Sequence, residues 1–144
     1  MKKPQNEMKL IFPSLSENER LARVAISGFI SAKNPRLDEV NDLKTAVSEA
    51  VTNCIVHAYR DTVGIIEMTA KLSGDDVYIK IRDKGCGIED VKKAMEPLYT
   101  TLPDEERSGL GFSVMESFTD SVTVKSRVGS GTTVVMVKKL KSRI

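Results

Sequence analysis

The sequence predicts a two-layer α/β sandwich of the α+β kind, in which helices cover one face of a mixed and mostly antiparallel sheet. The segments follow in the order strand, helix, helix, strands, short helix, loop, helix and strands, which favours helices packed on a sheet. Several strand-like runs are joined by short glycine-containing turns, as in hairpins. The length of 144 residues, with 40% hydrophobic and 29% charged residues, predicts one domain over residues 1–144 that buries its own core.

The first segments are a short strand and a helix. Met8 to Phe12 is typical of the strand, which Pro13 and Ser14 end. Ser16 and Glu19 have the spacing of a capping box, which predicts that a helix begins there. Residues with helical spacing are expected to form its apolar face: Leu21, Val24, Ala25, Gly28 and Phe29.

A second helix is predicted from about Leu37 to His57. Its apolar stripe consists of Leu37, Val40, Leu43, Val47, Val51, Cys54 and Ile55. Glu49 and Asn53 are four residues apart, so they stack one turn from each other on another face. His57 lies one more turn along, and we expect it to be a structural residue at the helix end.

The second half of the chain predicts two hairpins separated by a short helix, a loop and a further helix. The predicted segments are strands Ile65–Leu72 and Val77–Asp83, a short helix Val91–Met95, a loop Pro97–Ser108, a helix Gly111–Phe118, and strands Ser121–Ser126 and Thr132–Lys138. Val77, Ile79 and Ile81 alternate with polar residues, so one face of that strand is expected to pack on the core.

Composition and charge exclude several function classes. The net charge is only +2. The basic cluster at residues 138–143 is read as a solvating tail, because no aromatic residue is interleaved with it for nucleic-acid stacking. The N-terminus lacks the apolar stretch of a signal peptide, and no run approaches the ~20 apolar residues of a membrane helix. Cys54 and Cys86 have no metal-ligand spacing, so we expect a reduced cytoplasmic protein without a direct nucleic-acid or membrane partner.

Two glycine-rich segments suit a nucleotide. In Asp83-Lys-Gly85-Cys-Gly87, glycine lets backbone approach a ligand closely, and a carboxylate at a strand end can accept a hydrogen bond from an exocyclic amine. In Arg107-Ser-Gly109-Leu-Gly111, a helix N-terminus and an arginine fork suit phosphate oxygens. Each segment alone also fits a bland alternative: a tight turn in the first case, and a helix start capped by Ser108 in the second.

Glu49 and Asn53 supply the reactive groups that such a site requires. Magnesium takes few protein ligands and binds substrate phosphates, so one amide oxygen from Asn53 is sufficient. A nearby Glu49 can accept the proton of an attacking hydroxyl in phosphoryl transfer. The long polar stretch between the glycine segments, with Thr100 and Thr101, is typical of a binding loop, although a plain surface loop fits equally.

Together these motifs resemble the GHKL ATPase superfamily, whose Bergerat fold is shared by histidine-kinase catalytic domains, gyrase B and MutL. Glu49 to Asn53 is similar to its N box, Asp83 to Gly87 to its G1 box, and Ser108 to Gly111 to its G2 box. Gly131-Thr132-Thr133 resembles the last strand of its nucleotide site. The sequence has no Walker A signature, so a P-loop is not implied.

Within this superfamily the closer resemblance is to the anti-sigma F factors of endospore-forming bacteria, and it covers nearly the whole chain. It rests on Ser16-Glu-Asn-Glu19, Val47-Ser-Glu-Ala-Val-Thr-Asn53, Pro97-Leu-Tyr-Thr-Thr101 and Glu106-Arg-Ser-Gly-Leu-Gly111. The resemblance implies a homodimeric serine protein kinase that holds the sporulation sigma factor F inactive. It also implies that the kinase phosphorylates a serine of an anti-anti-sigma factor.

The resemblance also implies roles for individual residues. Glu49 is the general base, Asn53 the Mg²⁺ ligand, and Asp83 reads the adenine amino group of ATP or ADP. Arg23 on the first helix matches a residue used in docking both protein partners. The remaining nucleotide-binding set is Gly85, Gly87, Thr100, Thr101, Arg107 at the γ-phosphate end, Ser108, Gly109, Gly111 and Thr132. Leu102 stands where a lysine is common and Ala58 where a glycine is common.

Three other functions stay open beside this one. A general-stress anti-sigma serine kinase of the same family has the same chemistry with another sigma factor. A non-catalytic module would bind nucleotide and sigma factor without transfer, but Glu49 argues against it. A histidine-kinase catalytic domain would need a phosphoacceptor histidine and a helical hairpin upstream, and the chain begins too close to its first strand to carry them.

Overall fold

A computed structural model of the protein describes residues 3–96 and 111–141. The strands are β1 (Asn6–Pro13), β2 (Ile65–Ser73), β3 (Asp76–Asp83), β4 (Ser121–Arg127) and β5 (Gly131–Lys139), and the helices are α1 (Asn18–Ile30), α2 (Leu37–Asn53), α3 (Val91–Ala94) and α4 (Phe112–Phe118). A short 3-10 turn, Ser31–Lys33, follows α1, and a π-helical turn, Cys54–Ala58, follows α2. The predicted loop Pro97–Ser108 lies outside the described residues.

The described strands form one sheet in the order β1-β2-β3-β5-β4. All four pairings between them are antiparallel, so the predicted class is confirmed and this part of the sheet contains no parallel pair. The hairpin of β2 and β3 closes through Gly74, whose φ of +59° suits glycine in a tight turn. The predicted strands agree with the observed ones to within two residues.

Strand alternation places the core on one face of the sheet. Val77, Ile79 and Ile81 are at most 1% exposed, whereas Tyr78, Lys80 and Arg82 are on the opposite face, as the period of two requires. The buried residues of β2 and β5 face the same layer: Ile66, Met68, Ala70, Leu72, Val134 and Met136. The open face is polar and includes an ion pair between Lys9 and Glu67.

Helix α2 lies centrally in the helical layer and contacts both α1 and α4. Its buried residues are Glu39, Leu43, Ala46, Val47, Ala50 and Val51. The Glu39 carboxylate accepts hydrogen bonds from the backbone N–H groups of Arg36 and Lys141. Burial alone would raise the pKa of Glu39, but these two bonds outweigh it and lower that pKa. The same carboxylate therefore begins the helix and anchors the chain after β5.

The predicted apolar face of α1 is wrong in part. The helix buries Ala22, Ile26 and Ile30, which are spaced by four, while Leu21 and Val24 are 43% and 58% exposed. The reason is that α1 carries apolar residues on two sides, and the pattern alone does not say which side meets the sheet. Leu37 is also a correction, because at 75% exposure it lies outside the core.

The predicted capping box at Ser16 and Glu19 does not form. Helix α1 begins at Asn18, and its N-cap residue Glu17 makes no side-chain capping bond. The Glu19 carboxylate instead contacts Ser48 of α2 and Arg23 of α1. The spacing was compatible with a cap, but a partner on the neighbouring helix takes the carboxylate.

No helix among residues 3–96 and 111–141 is both long and apolar enough to cross a membrane.

Candidate functional site

A cleft lies between the end of α2, the end of β3, the start of α4 and strand β5. It encloses about 440 Å³ of empty space, part of it open to solvent. Its described lining consists of Ala50, Asn53, Cys54, His57, Ala58, Arg60, Asp83, Cys86, Gly87, Ile88, Phe112, Thr132 and Val134. Apolar walls with a few placed polar groups are typical of a pocket for a small organic ligand.

Asp83 is the buried carboxylate of this cleft. It continues the alternation of Val77, Ile79 and Ile81, so the strand directs it to the helical side of the sheet, where it is 5% exposed. Its Oδ1 accepts hydrogen bonds from the N–H groups of Gly85 and Thr132, at 2.9 and 3.2 Å. These bonds fix the plane of the carboxylate.

The Cys54 thiol lies against the other oxygen of Asp83, with 3.5 Å between Sγ and Oδ2. Burial and the charge of Asp83 raise the pKa of the Cys54 thiol, so it stays protonated and can donate. Burial raises the pKa of Asp83, while the bonds from Gly85, Cys54 and Thr132 oppose that rise. A buried carboxylate with one fixed oxygen can accept a hydrogen bond from a ligand amine.

Gly85 and Gly87 are required where the turn after β3 packs on other backbone. A Cβ on Gly85 would overlap the carbonyl of Ala58, and a Cβ on Gly87, whose φ is +78°, would overlap the carbonyl of Arg127. Cys86 N–H also donates to the Ala58 carbonyl, at 3.1 Å. Both glycines were predicted to approach a ligand. Gly87 does line the cleft, but the tight contacts of both are with the protein itself.

Tyr59 supports this turn from below, and sequence reasoning missed it. Its hydroxyl accepts a hydrogen bond from Lys84 N–H at 2.6 Å and donates one to the Ile65 carbonyl at 2.8 Å. Burial raises the pKa of Tyr59, so the hydroxyl keeps its proton for this bond. A lone tyrosine after a helix carries little sequence signal, because its partners are on strands that follow later.

The three polar residues of α2 and its π-helical turn are brought to the same edge of the cleft. Asn53 and His57 line it. Half-buried Glu49 lies one turn earlier, so close to Gly111 that a Cβ there would overlap its Oε2. Gly111 is the N-cap of α4, with φ of +73°, which glycine adopts readily. The fold thus joins the first motif to the end of the third.

Thr132 completes the wall beside Asp83. It is 8% exposed, and its Oγ1 lies 2.7 Å from Ser126 Oγ, with either atom as the donor. Ser126 Oγ also accepts from Ile88 N–H at 2.7 Å. These bonds tie β4 and β5 to the segment that leaves the glycine turn. The structure therefore brings Asp83 and Thr132 together, as the sequence predicted.

Five predicted nucleotide-binding residues lie outside the described residues: Thr100, Thr101, Arg107, Ser108 and Gly109. Leu102 lies there too. Arg23 is described, but it is on α1 and does not line the cleft; its Nε lies 2.8 Å from Glu19 Oε1.

Comparison with known proteins places this cleft in a family. Residues 12–138 match the model of the histidine kinase-like ATPase domain. The chain is 53% identical over 135 residues to the anti-sigma F factor of Clostridium beijerinckii, covering 93% of this chain and 94% of the relative. It is 53% identical over 138 residues to that of Clostridium novyi, covering 95% and 96%. The chain belongs to the anti-sigma F factor family of histidine kinase-like ATPase domains. Its cleft is therefore a nucleotide site, and the protein is an ATP-using kinase domain.

Solved structures share the fold at low sequence identity. The RsbU and RsbW domains of a Mycobacterium tuberculosis protein superpose with a TM-score of 0.72 and 19% identity over 97% of this chain, which spans 34% of that longer chain. The catalytic domain of the histidine kinase ThkA superposes with a TM-score of 0.58 and 16% identity, covering 92% of this chain and 96% of its own. At these identities the likeness concerns the fold.

The donor set of the cleft fits magnesium held largely by a nucleotide. Among residues 3–96 and 111–141, no group of three or more His, Cys, Asp or Glu side chains could hold a metal ion. Magnesium often takes only one or two protein ligands, with water and substrate phosphates completing its shell. Asn53 on the cleft wall offers one such amide oxygen.

Proposed function

We propose that this protein is an ATP-dependent serine protein kinase and anti-sigma factor, acting as a single domain over residues 1–144. It binds and inhibits sporulation sigma factor F and phosphorylates a serine on the anti-anti-sigma factor. The relatives named anti-sigma F factor, about half identical over more than nine-tenths of the chain, support the partner assignment. The observation that carries the kinase assignment is the adjacency of Glu49 and Asn53, one helical turn apart at a cleft with Asp83 at its base.

Asp83 would recognise the adenine of ATP or ADP. Its Oδ1 is occupied by two backbone N–H groups, so Oδ2 is the acceptor for the exocyclic amine, with Thr132 beside it. Phe112, Val134 and Ile88 give the cleft apolar surface, against which a flat base can pack. The adenine pocket is therefore specific for an amine donor in an apolar slot.

Glu49 would act as the general base. Its carboxylate accepts the proton of the partner's serine hydroxyl while that oxygen bonds to the γ-phosphorus, and the bond from γ-phosphorus to ADP breaks. Bound magnesium would neutralise charge on the phosphates, with Asn53 as its protein ligand. Gly111 lies against Glu49, so the start of α4 sets the position of the base.

The remaining assignments extend the site beyond the described residues. Thr100, Thr101, Arg107, Ser108 and Gly109 would contact the nucleotide, with Arg107 at the γ-phosphate. Arg23 would dock both protein partners, and the protein would function as a homodimer in the cytoplasm. No direct contact with nucleic acid is part of this function.

The decisive experiment is incubation with labelled ATP, magnesium, sigma factor F and the anti-anti-sigma factor. We expect label on a serine of the anti-anti-sigma factor only. Glu49→Gln should lower transfer by at least 100-fold, since general-base catalysis contributes roughly 10²–10⁴-fold, and should keep ATP and sigma binding. Asp42→Asn is the matched control, because Asp42 lies two turns earlier on α2 and pairs with Lys138, outside the cleft lining; it should transfer normally.

Other outcomes would select a different function. Normal transfer by Glu49→Gln would falsify the base assignment. Sigma binding without transfer by the wild type would indicate a non-catalytic module. Transfer that requires a stress regulator in place of the sporulation partners would indicate a general-stress kinase.

A further inference from the structure

Glu19 joins the two long helices at a point away from the cleft. The Ser48 hydroxyl of α2 donates a hydrogen bond to Glu19 Oε1. The Nε of Arg23, one turn along α1, lies 2.8 Å from the same oxygen. One carboxylate oxygen therefore contacts both an α1 guanidinium and an α2 hydroxyl.

The contact with Arg23 is an ion pair held by charge. The Nε of Arg23 is buried but makes no hydrogen bond of acceptable angle, although the oxygen is within contact distance. The Glu19 and Arg23 side chains are 22% and 38% exposed, so the pair is only partly screened by water. Loss of the carboxylate charge would release the stem of Arg23.

Arg23 lies among exposed apolar side chains. Leu21 and Val24, its neighbours on α1, are 43% and 58% exposed. An arginine with apolar neighbours on an outward helix face has the composition of a protein–protein contact. Such an arginine contributes most when its orientation is already set before binding, because a free side chain loses rotamer entropy on docking.

The other end of the contact chain is at the nucleotide site. Ser48 directly precedes Glu49 in the sequence, and Asn53 follows on the same helix. Helix α2 is packed on both sides, with Val47, Ala50 and Val51 at most 1% exposed. Its Ser48 hydroxyl is thus fixed relative to the residues that face the cleft.

We infer that Glu19 is a positioning residue for partner docking. It holds the Arg23 guanidinium in the orientation that a protein partner contacts, and Ser48 ties it to the helix that carries Glu49 and Asn53. The docking surface thereby keeps a fixed geometry with respect to the phosphoryl-transfer site. This inference rests on the proposed function, in which Arg23 docks both protein partners.

The test is Glu19→Gln, which keeps an acceptor for the Ser48 hydroxyl and removes the charge that holds Arg23. The KM for the anti-anti-sigma factor and the Kd for sigma factor F should rise about threefold to tenfold, the cost of ordering one long side chain. The KM for ATP and the kcat at saturating partner should stay within twofold of wild type. Ser48→Ala should raise the same two partner constants by a smaller factor.

Glu67→Gln is the matched control. Glu67 is 24% exposed and pairs with Lys9 at 2.9 Å on the open face of the sheet, so it loses an ion pair of similar burial. All kinetic and binding constants of this variant should equal those of wild type. Urea unfolding of each variant shows that it is folded.

Arg23→Ala and the double variant separate the possible failures. If Glu19 acts through Arg23, the double variant should equal Arg23→Ala alone. Additive effects would mean that Glu19 contacts the partner itself, and would overturn the inference. A Glu19→Gln variant with wild-type partner constants, beside a defective Arg23→Ala, would overturn it while leaving the proposed function intact. An unaffected Arg23→Ala would remove the docking role of Arg23 and the inference with it.

Discussion

At the scale of single residues, Asp83 combines recognition with a stability cost. Burial raises its pKa above the ordinary value of 3.8, so the folded state favours the protonated form. That contribution to stability is fully present below pH 3.8 and is lost as the pH rises through the folded pKa. At neutral pH the ionised side chain therefore destabilises the nucleotide-free protein relative to a neutral side chain.

Asp83→Asn should consequently weaken ATP binding without weakening the fold. The amide oxygen can still accept from Gly85 and Thr132, which turns the amide NH₂ toward the adenine amine, a donor against a donor. We expect ATP affinity to fall by about 2 kcal/mol, roughly 30-fold, and the preference for ATP over ITP to shrink, since the ITP base has a carbonyl there.

Calorimetry with ATP and ITP, and urea unfolding from pH 4 to 8, measure these effects. The variant should be at least as stable as wild type at pH 7, and its advantage should shrink toward pH 4. Equal ATP affinity in the two proteins would contradict the assignment of Asp83. Lower stability of the variant at pH 7 would show that its two backbone hydrogen bonds need the full charge.

How far the site could be predicted from sequence depends on sequence separation. Strand alternation was enough to direct Asp83 to the helical face, and helical spacing was enough to stack Glu49 and Asn53. Cys54 and Tyr59 were not identified as site residues, because their contacts with Asp83 and Lys84 span 29 and 25 residues and depend on how α2 meets the sheet. A pattern within one segment carries no information about such contacts.

At the scale of elements, the hairpins were predictable and the helix surfaces were not. Residues in β3 alternate strictly, so burial and pattern agree. In α1 two apolar sides compete, and only packing on the sheet selects Ala22, Ile26 and Ile30. The π-helical turn Cys54–Ala58 was predicted as plain α-helix, because its distinguishing contact is that of the Ala58 carbonyl with Cys86, a tertiary one. Single-turn π segments are frequent at functional sites, and this one ends at the cleft.

The start of α4 should be intolerant of a side chain. Gly111→Ala would place a methyl group on Glu49 Oε2 and strain a backbone with φ of +73°, at a cost of about 1–2 kcal/mol for the conformation alone. Transfer should fall at least tenfold, because the methyl group displaces the base. Assays at saturating ATP, with urea unfolding, separate the two effects.

Gly129→Ala is the control for that strain. Gly129 has φ of +81°, and a Cβ there would meet nothing within 4 Å. The variant should lose similar stability, about 1–2 kcal/mol, and keep its kcat. Equal kcat losses in both variants would mean that destabilisation, and not the position of Glu49, limits transfer.

At the scale of the whole molecule, one helix serves the core and the site. Helix α2 buries Leu43, Val47 and Val51 completely, and it also carries Glu49 and Asn53. A helix packed on the sheet, α1 and α4 cannot shift easily, since protein interiors are close-packed. The reactive groups are thus held by the core, and nucleotide bound in the cleft contacts the same helix.

Nucleotide should accordingly stabilise the entire fold. At an ATP concentration 100 times its Kd the gain is about 2.7 kcal/mol, which for a chain of this size raises Tm by roughly 8–12 °C. Scanning calorimetry with magnesium and ATP measures it. Glu49→Gln should show the full shift, because the base acts on the partner's hydroxyl and not on nucleotide binding.

Asp83→Asn should show a shift of only about 3 °C at the same ATP concentration, since a 30-fold weaker Kd leaves roughly 0.9 kcal/mol of stabilisation. The pair of variants thereby separates binding from chemistry in one measurement. A full shift in Asp83→Asn would mean that the adenine is read elsewhere. A missing shift in Glu49→Gln would make Glu49 part of the binding site, and the loss of transfer in that variant would then need no general base to explain it.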